Sequence, residues 1–149
     1  MPALSVRPIS AAQTRPLRQR VLRPHQAPEA LVYPGDEAVG TLHVGGFLDG
    51  EGPIAVASVY REDREASPAG GGWRLRGMAV RPESQGAGHG AALLEACMAH
   101  ARAHNGVELW CNARTSAAGF YRRLGFTEAG PEFELPGIGP HFLMWRPLA

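Results

Sequence analysis

Cysteine is scarce: only Cys97 and Cys111 occur in 149 residues, without the spacing of a disulfide framework or a thiolate metal site. Each reads as a small buried hydrophobe, and no metal site is expected. A surplus of one charge sign is missing too. The formal net charge is +1, which removes the usual electrostatic reason to expect nucleic acid or an anionic membrane surface as a partner. No run approaches the roughly 20 apolar residues that span a bilayer, and the opening MPALSVRPIS lacks the apolar stretch of a signal peptide. A cytoplasmic protein is the expectation. No internal repeat, low-complexity tract or Pro/Ser-rich linker divides the chain, so one domain over 1–149 is expected.

What is present suits a folded protein, with 44% hydrophobic and 19% charged residues. The stretch around which the chain is organised runs from Trp73 to Ala103. WRLRGMAV reads as a strand, RPESQGAGHG as a glycine loop, and AALLEACMAHARA as a helix with apolar residues at helical spacing. The first turn of a helix has amide hydrogens without intrahelical partners and a partial positive charge. Gly86, Gly88 and Gly90 clear side chains from alternate positions, so an anion such as a pyrophosphate can approach the backbone.

Before this stretch, Leu4, Val6 and Pro8 form a short strand, placed at an edge because proline cannot donate to a ladder. The following helix is expected to take Thr14 as its N-cap with Pro16 in the first turn, because a Ser10–Gln13 capping box would put Pro16 inside the helix. Pro24, Pro28 and Pro34 mark an irregular loop. A hairpin follows, from Ala38–Leu48 through the Gly-rich turn Asp49–Gly52 to Ile54–Tyr60, and then the polar loop REDREASPAGGG. After the central helix, Asn105-Gly106 is a C-cap pair and VELWCN a strand. Thr115 or Ser116 caps a second helix ending at Gly125, and two short strands lie near Glu132–Leu135 and His141–Arg146. The coarse order is βαβββαβαββ.

The loop fits two phosphate-binding patterns. Gly86, Gly88 and Ala91 satisfy GxGxxA, and Glu108 lies 20 residues past Gly88, which formally meets a dinucleotide fingerprint and an NAD-dependent oxidoreductase. Against it, Glu108 is near the start of its strand and only one βαβ unit is visible. The second pattern is Gln85-Gly86-Ala87-Gly88-His89-Gly90, preceded by Met78-Ala79-Val80-Arg81-Pro82 and followed in the next helix by Phe120-Tyr121-Arg122-Arg123-Leu124-Gly125-Phe126. On these residues, most specifically from Leu75 to Phe126, the chain resembles the GNAT family of acyl-CoA-dependent N-acyltransferases. Gly137–Met144 together with Leu17–Leu22 looks like an ElaA-like bacterial subgroup.

The resemblance implies an α/β fold: a mixed, mostly antiparallel sheet with flanking helices, splayed at the central strands. It implies acetyl-CoA as cofactor and a small-molecule or peptide amine as acceptor, attacked directly in a ternary complex; a silent acyl-CoA-binding module is the alternative. The family often dimerises through late strands, which makes a homodimer an option. The loop amides of Gly86, Ala87, Gly88, His89, Gly90 and Ala91, behind Gln85, are implied to hold the pyrophosphate. The backbone of Met78, Ala79 and Val80 is implied to pair with the pantetheine arm. Gly77 inside that strand marks either a bulge or a point of close packing.

Tyr121 resembles the tyrosine that protonates the departing thiolate. Asn112 is the nearest match to an asparagine that touches the cofactor. The sequence departs from the family at Arg74, where many members carry a glutamate base, and a guanidinium does not serve as a base at neutral pH. His43 and His141 are the alternative bases, beside water or a substrate arriving neutral. Arg74 and Arg76 share a strand face by period-two alternation, and an acceptor bearing carboxylate or phosphate is expected if they point into the acceptor cleft.

Overall fold

A computed structural model describes residues 3–50, 52–67 and 70–149. The described strands form one open mixed sheet in the order β1-β2-β3-β4-β5-β8-β6, with β7 also paired to β8. The strands are β1 Ser5–Pro8, β2 Leu42–Phe47, β3 Pro53–Arg61, β4 Gly72–Val80, β5 Glu108–Arg114, β6 Thr127–Glu128, β7 Phe133–Leu135 and β8 Gly139–Pro147. All neighbours are antiparallel except β4 and β5. Helix α1 spans Ala11–Leu17, α2 His89–Ala103 and α3 Ala118–Arg123. The order matches the expected fold with one added two-residue strand, β6, too short to carry a periodicity. Glu51 of the expected hairpin turn, and Pro68 and Ala69 of the polar loop, lie outside the described residues, as do Met1 and Pro2. Among the described residues no helix is long and apolar enough to cross a membrane.

Burial explains the layering. Ile54 to Tyr60 is buried throughout, as a strand covered on both faces should be. Leu93, Leu94, Cys97, Met98 and Ala101 of α2 recur at helical spacing and pack with Ile54, Val59, Leu75, Tyr121 and Met144 in the main core. A buried leucine of this kind contributes about 1.5–3 kcal/mol. Leu17, Val56 and Ala79 form a second cluster with Ile9, Val21 and Leu22 partly buried against it. Pro8 stands on the edge strand β1, and Asn105 closes α2 with a left-handed φ of 64°.

Two helix starts differ from expectation. Ser10, not Thr14, caps α1, through a complete capping box with Gln13. Thr14 is buried and donates to the Ala11 carbonyl. Pro16 does lie inside the helix, and the lost amide is accommodated by a wider π turn over Arg18–Leu22, in which Arg23 donates back to the Arg18 carbonyl. Neither Thr115 nor Ser116 caps α3. A 3₁₀ turn over Thr115–Ala117 leads into it without a side-chain cap.

The wide turn aims Arg18 inward, where it is fully buried. Its Nη1 donates to Asp36 Oδ2 at 2.7 Å and to the Leu31 carbonyl at 2.9 Å, and its Nη2 to Asp36 Oδ1 and Ser58 Oγ, both at 2.9 Å. This bidentate geometry, with four hydrogen bonds from the two terminal nitrogens, offsets the cost of desolvating the ion pair, and only the buried Nε is left without a hydrogen-bond partner. The pair sits beneath an irregularity in β4. The β3–β4 register slips by one residue between Val56↔Ala79 and Ser58↔Arg76, and Gly77 takes φ +67° with a Cβ position only 2.9 Å from Arg18 Nε. Gly77 is therefore a bulge glycine. Beyond Arg74↔Trp110, β4 and β5 no longer pair, so the sheet is splayed at its centre as the sequence implied.

Asp36→Asn leaves the Arg18 charge buried without a counterion and should cost about 3–5 kcal/mol in chemical denaturation. Burial pushes the Asp36 carboxyl up but is outweighed by the Arg18 hydrogen bond, the Tyr33 amide and the charges of Arg18 and His43, leaving it below the usual range. Its contribution should hold above the unfolded value near ~4 and vanish as pH falls through the lower folded value. The Asn variant should lose that acid dependence.

Candidate active site

Two cavities meet where β4 and β5 part. The first is a groove of about 520 Å³ lined by Met78, Ala79 and Val80 of β4, Gln85 to Ala91 except Ala87, and Phe120, Arg123 and Leu124 around α3. Gly86 and Gly88 both take φ +84°, and a Cβ at either would meet nothing within 4 Å. The constraint there is backbone conformation, not space. Gln85 Nε2 donates to the Val80 carbonyl at 2.9 Å, tying the loop to the end of β4. The first amide of this region with a backbone partner is Ala92, bonded to the Gly88 carbonyl. Among the described residues the six amides from Gly86 to Ala91 have none, and they open the 15-residue helix α2. This is a cradle for a diphosphate.

The second cavity, about 160 Å³, lies on the other side of the parted strands. It is lined by Arg74 to Met78, Cys111 to Arg114, Ala117, Tyr121, Leu135, His141, Leu22, Arg23 and Tyr33. Met78 and Ala117 line both cavities, so the two adjoin at the splay. A long ligand in the groove would reach its end beside Tyr121.

The sequence matches the model of the Acetyltransferase (GNAT) domain over residues 33–128. The chain belongs to the GNAT acetyltransferase family. This GNAT protein is 38% identical over 146 residues to Uncharacterized N-acetyltransferase YitI of Bacillus subtilis (strain 168), covering 97% of each chain. Its fold is shared with Escherichia coli ElaA, at TM-score 0.75 and 19% identity, covering 98% of this chain and 99% of that one. It is shared also with a chain of the NatC complex bound to Gag peptide and CoA, at TM-score 0.78 and 15% identity, covering 98% and 99%. N-acetyltransferase activity follows from the family, whose acyl donor is acetyl-CoA and whose acceptors are amines.

Within this GNAT site the two histidines are placed very differently. The Nδ1 of His141 lies 2.8 Å from the Gly139 carbonyl, which only accepts, so Nδ1 carries a proton. His141 lines the cleft, and its Nε2 has no hydrogen bond among the described residues. His43 lines neither cavity. Its Nε2 lies 2.9 Å from the Asp36 carbonyl and its Nδ1 2.6 Å from Ser58 Oγ, so Nε2 donates and Nδ1 is occupied by the Ser58 hydroxyl. His43 thus extends the buried Arg18–Asp36 network.

Arg74 and Arg76 both line the cleft. Arg74 meets Glu62 at 3.2 Å and lies over Trp110, whereas Arg76 lies over the Tyr33 ring. Asn112 lines the cleft, not the groove, because β5 has already turned away from the loop. His89 does line the groove. Glu108, required by the dinucleotide reading, is held by Arg64 at 2.7 Å at the start of β5.

Sequence reasoning passed over Phe120 and Arg123, which lie in the Phe120–Phe126 motif, and Arg23 and Tyr33, which lie in the proline-marked loop and have no local pattern of their own.

The Tyr121 phenol is buried, and burial foremost, with the Cys111 and Cys97 sulfurs beside it, holds it well above its ordinary range. It stays protonated. Burial likewise pushes both thiols up to about 12. Both cysteines should therefore be inert to an aromatic disulfide reagent at pH 8 and react only on denaturation, read as absorbance against time.

Proposed function

We propose that this enzyme transfers the acetyl group of acetyl-CoA to a primary amine by direct attack in a ternary complex. The observation that carries the reading is the meeting of the two cavities at the splay, with the diphosphate cradle on one side and the Tyr121 phenol on the other. The amides of Gly86 to Ala91 would hold the pyrophosphate, Gln85 fixes their loop, and the unpaired edge of Met78, Ala79 and Val80 would pair with the pantetheine arm as an added strand. Bound there, acetyl-CoA supplies a thioester carbonyl that an amine can attack with loss of the thiolate.

This chain's residues then move the protons. Tyr121 donates from its phenol toward the sulfur position, a role suited to a group kept protonated at all working pH values. His141 accepts the amine proton at Nε2, its Nδ1 proton fixed on Gly139. Arg74, standing where many relatives carry a carboxylate, serves recognition instead. A catalytically silent acyl-CoA-binding module is the second reading. It is favoured by Arg74 and by the burial of the Tyr121 phenol beside Cys111.

Thiol release from acetyl-CoA in the presence of an amine panel separates the two. Tyr121→Phe should lower kcat about 100-fold or more while the acetyl-CoA dissociation constant stays within about twofold; an unchanged kcat removes the phenol from the mechanism. His141→Gln, which keeps a donor for the Gly139 carbonyl, should lower kcat by about 100-fold in the same assay.

A further inference from the structure

Five cationic or titratable basic side chains and not one carboxylate line the small cavity: Arg23, Arg74, Arg76, Arg114 and His141. Arg74 has Glu62 at 3.2 Å, and Asp36 is spent on Arg18. Among the described residues Arg23, Arg76 and Arg114 have no carboxylate partner. Arg114 donates to the Leu22 carbonyl at 2.6 Å and Arg23 to the same carbonyl at 2.9 Å, so one backbone oxygen gathers two guanidiniums at one end of the cleft. Arg76 is placed by stacking. Its Cζ lies 4.1 Å from the Tyr33 centroid, and the buried Arg18 lies 4.1 Å from the same ring, so the Arg18–Asp36 network orients Arg76 through Tyr33. The charges act on one another. Burial first, then Arg114 and Arg76, lower Arg23 below its ordinary value against an opposing pull from Tyr33.

Three unneutralised guanidiniums around a partly enclosed cavity are costly without an anion. The chain has no lysine at all, so each of these cations is a planar fork that matches carboxylate or phosphate bidentately. We infer that the acceptor is a small amine carrying a carboxylate or phosphate, with its anion seated on Arg23, Arg76 and Arg114 and its amine directed to Tyr121 and His141.

The inference rests on the acetyl-transfer reading and deepens it. A cavity of about 160 Å³ is the room of roughly five waters at ~30 Å³ each, which suits a few-atom head group and not a folded surface. The same field accounts for the missing carboxylate base. Nearby cations disfavour an ammonium and lower its pKa, so the amine loses its proton more readily, and the anionic substituent is what brings it into a cavity that repels free cationic amines.

The test uses matched acceptors with acetyl-CoA and the full chain, read as thiol release: aspartate against its diamide, O-phosphoserine against serinamide, glucosamine 6-phosphate against glucosamine, and spermidine as the cationic arm. With no lysine in the chain, side-chain self-acetylation adds no background. An anionic member should exceed its neutral partner by about 100-fold in kcat/KM, and the carboxylate and phosphate pairs tell which anion is preferred. Arg76→Gln and Arg23→Gln should each raise the KM for that acceptor about 10- to 100-fold with the KM for acetyl-CoA within about twofold. Turnover of neutral or cationic amines as well as or better than their anionic partners overturns the inference, as does a loss in the variants that falls on acetyl-CoA. If no amine at all releases thiol, acetyl transfer fails by itself. Calorimetry of the CoA-loaded protein then decides the seat, which stands if an anionic member binds and Arg76→Gln abolishes it, and falls if none binds.

Discussion

The parting of β4 from β5 is the constraint on which the site depends. A parallel pair that continued along both strands would bond its backbone to itself and leave neither a groove nor a cleft. Here the pairing ends at Arg74↔Trp110, and within three residues Gly77 turns β4 out of register with β3. The bulge is held from below by the buried Arg18 guanidinium, whose Nε would stand only 2.9 Å from a Cβ on Gly77. Burying an arginine to support a bulge is expensive, and the fold meets that cost with a network in which Asp36, Ser58, His43 and the Leu31 carbonyl are all engaged. Stability and function share this spot, since the charge that holds the strand open also orients Tyr33 and, through it, Arg76.

Electrostatics divides the arginines by task. Arg18 is neutralised and structural. Arg64 is paired to Glu108 and lies over Trp145, fastening the polar loop to the far side of the sheet. Arg23, Arg76 and Arg114 keep their charge at the cleft. Near-neutral net charge therefore conceals a local field, because the balancing carboxylates sit elsewhere on the molecule. In the proposed mechanism that field and the His141 ring together take the place of the carboxylate base that Arg74 displaces.

Much of this was legible in the residues. The Gln85–Ala91 loop between a strand and an alanine-rich helix, followed by the Phe120–Phe126 motif, led to the cradle and its family, because backbone amides at a helix start bind an anion almost irrespective of side chain. Gly77 marked the place of the bulge, but close packing was an equal reading of a glycine inside a strand until the register slip decided it. Local propensity misled at α1. Pro16 argued for a later start, but the Ser10–Gln13 box and a π turn satisfied the backbone around it.

The choice between His43 and His141 was beyond local reading, since both stand on strands with similar neighbours. Tertiary structure separated them: a hydrogen-bond network formed with residues 7 and 15 positions away consumes both nitrogens of His43, while His141 lines the cleft with one nitrogen fixed by a carbonyl two residues away. The same holds for Arg23 and Arg114, separated by most of the chain yet sharing the Leu22 carbonyl. Sequence alone determined the strand–loop–helix that makes the anion cradle, because that geometry is local and carried by the backbone. Which side chains face the proposed acceptor was decided only by packing, because the cleft is built from a π turn, a bulged strand and a late hairpin whose proximity no short window of residues encodes.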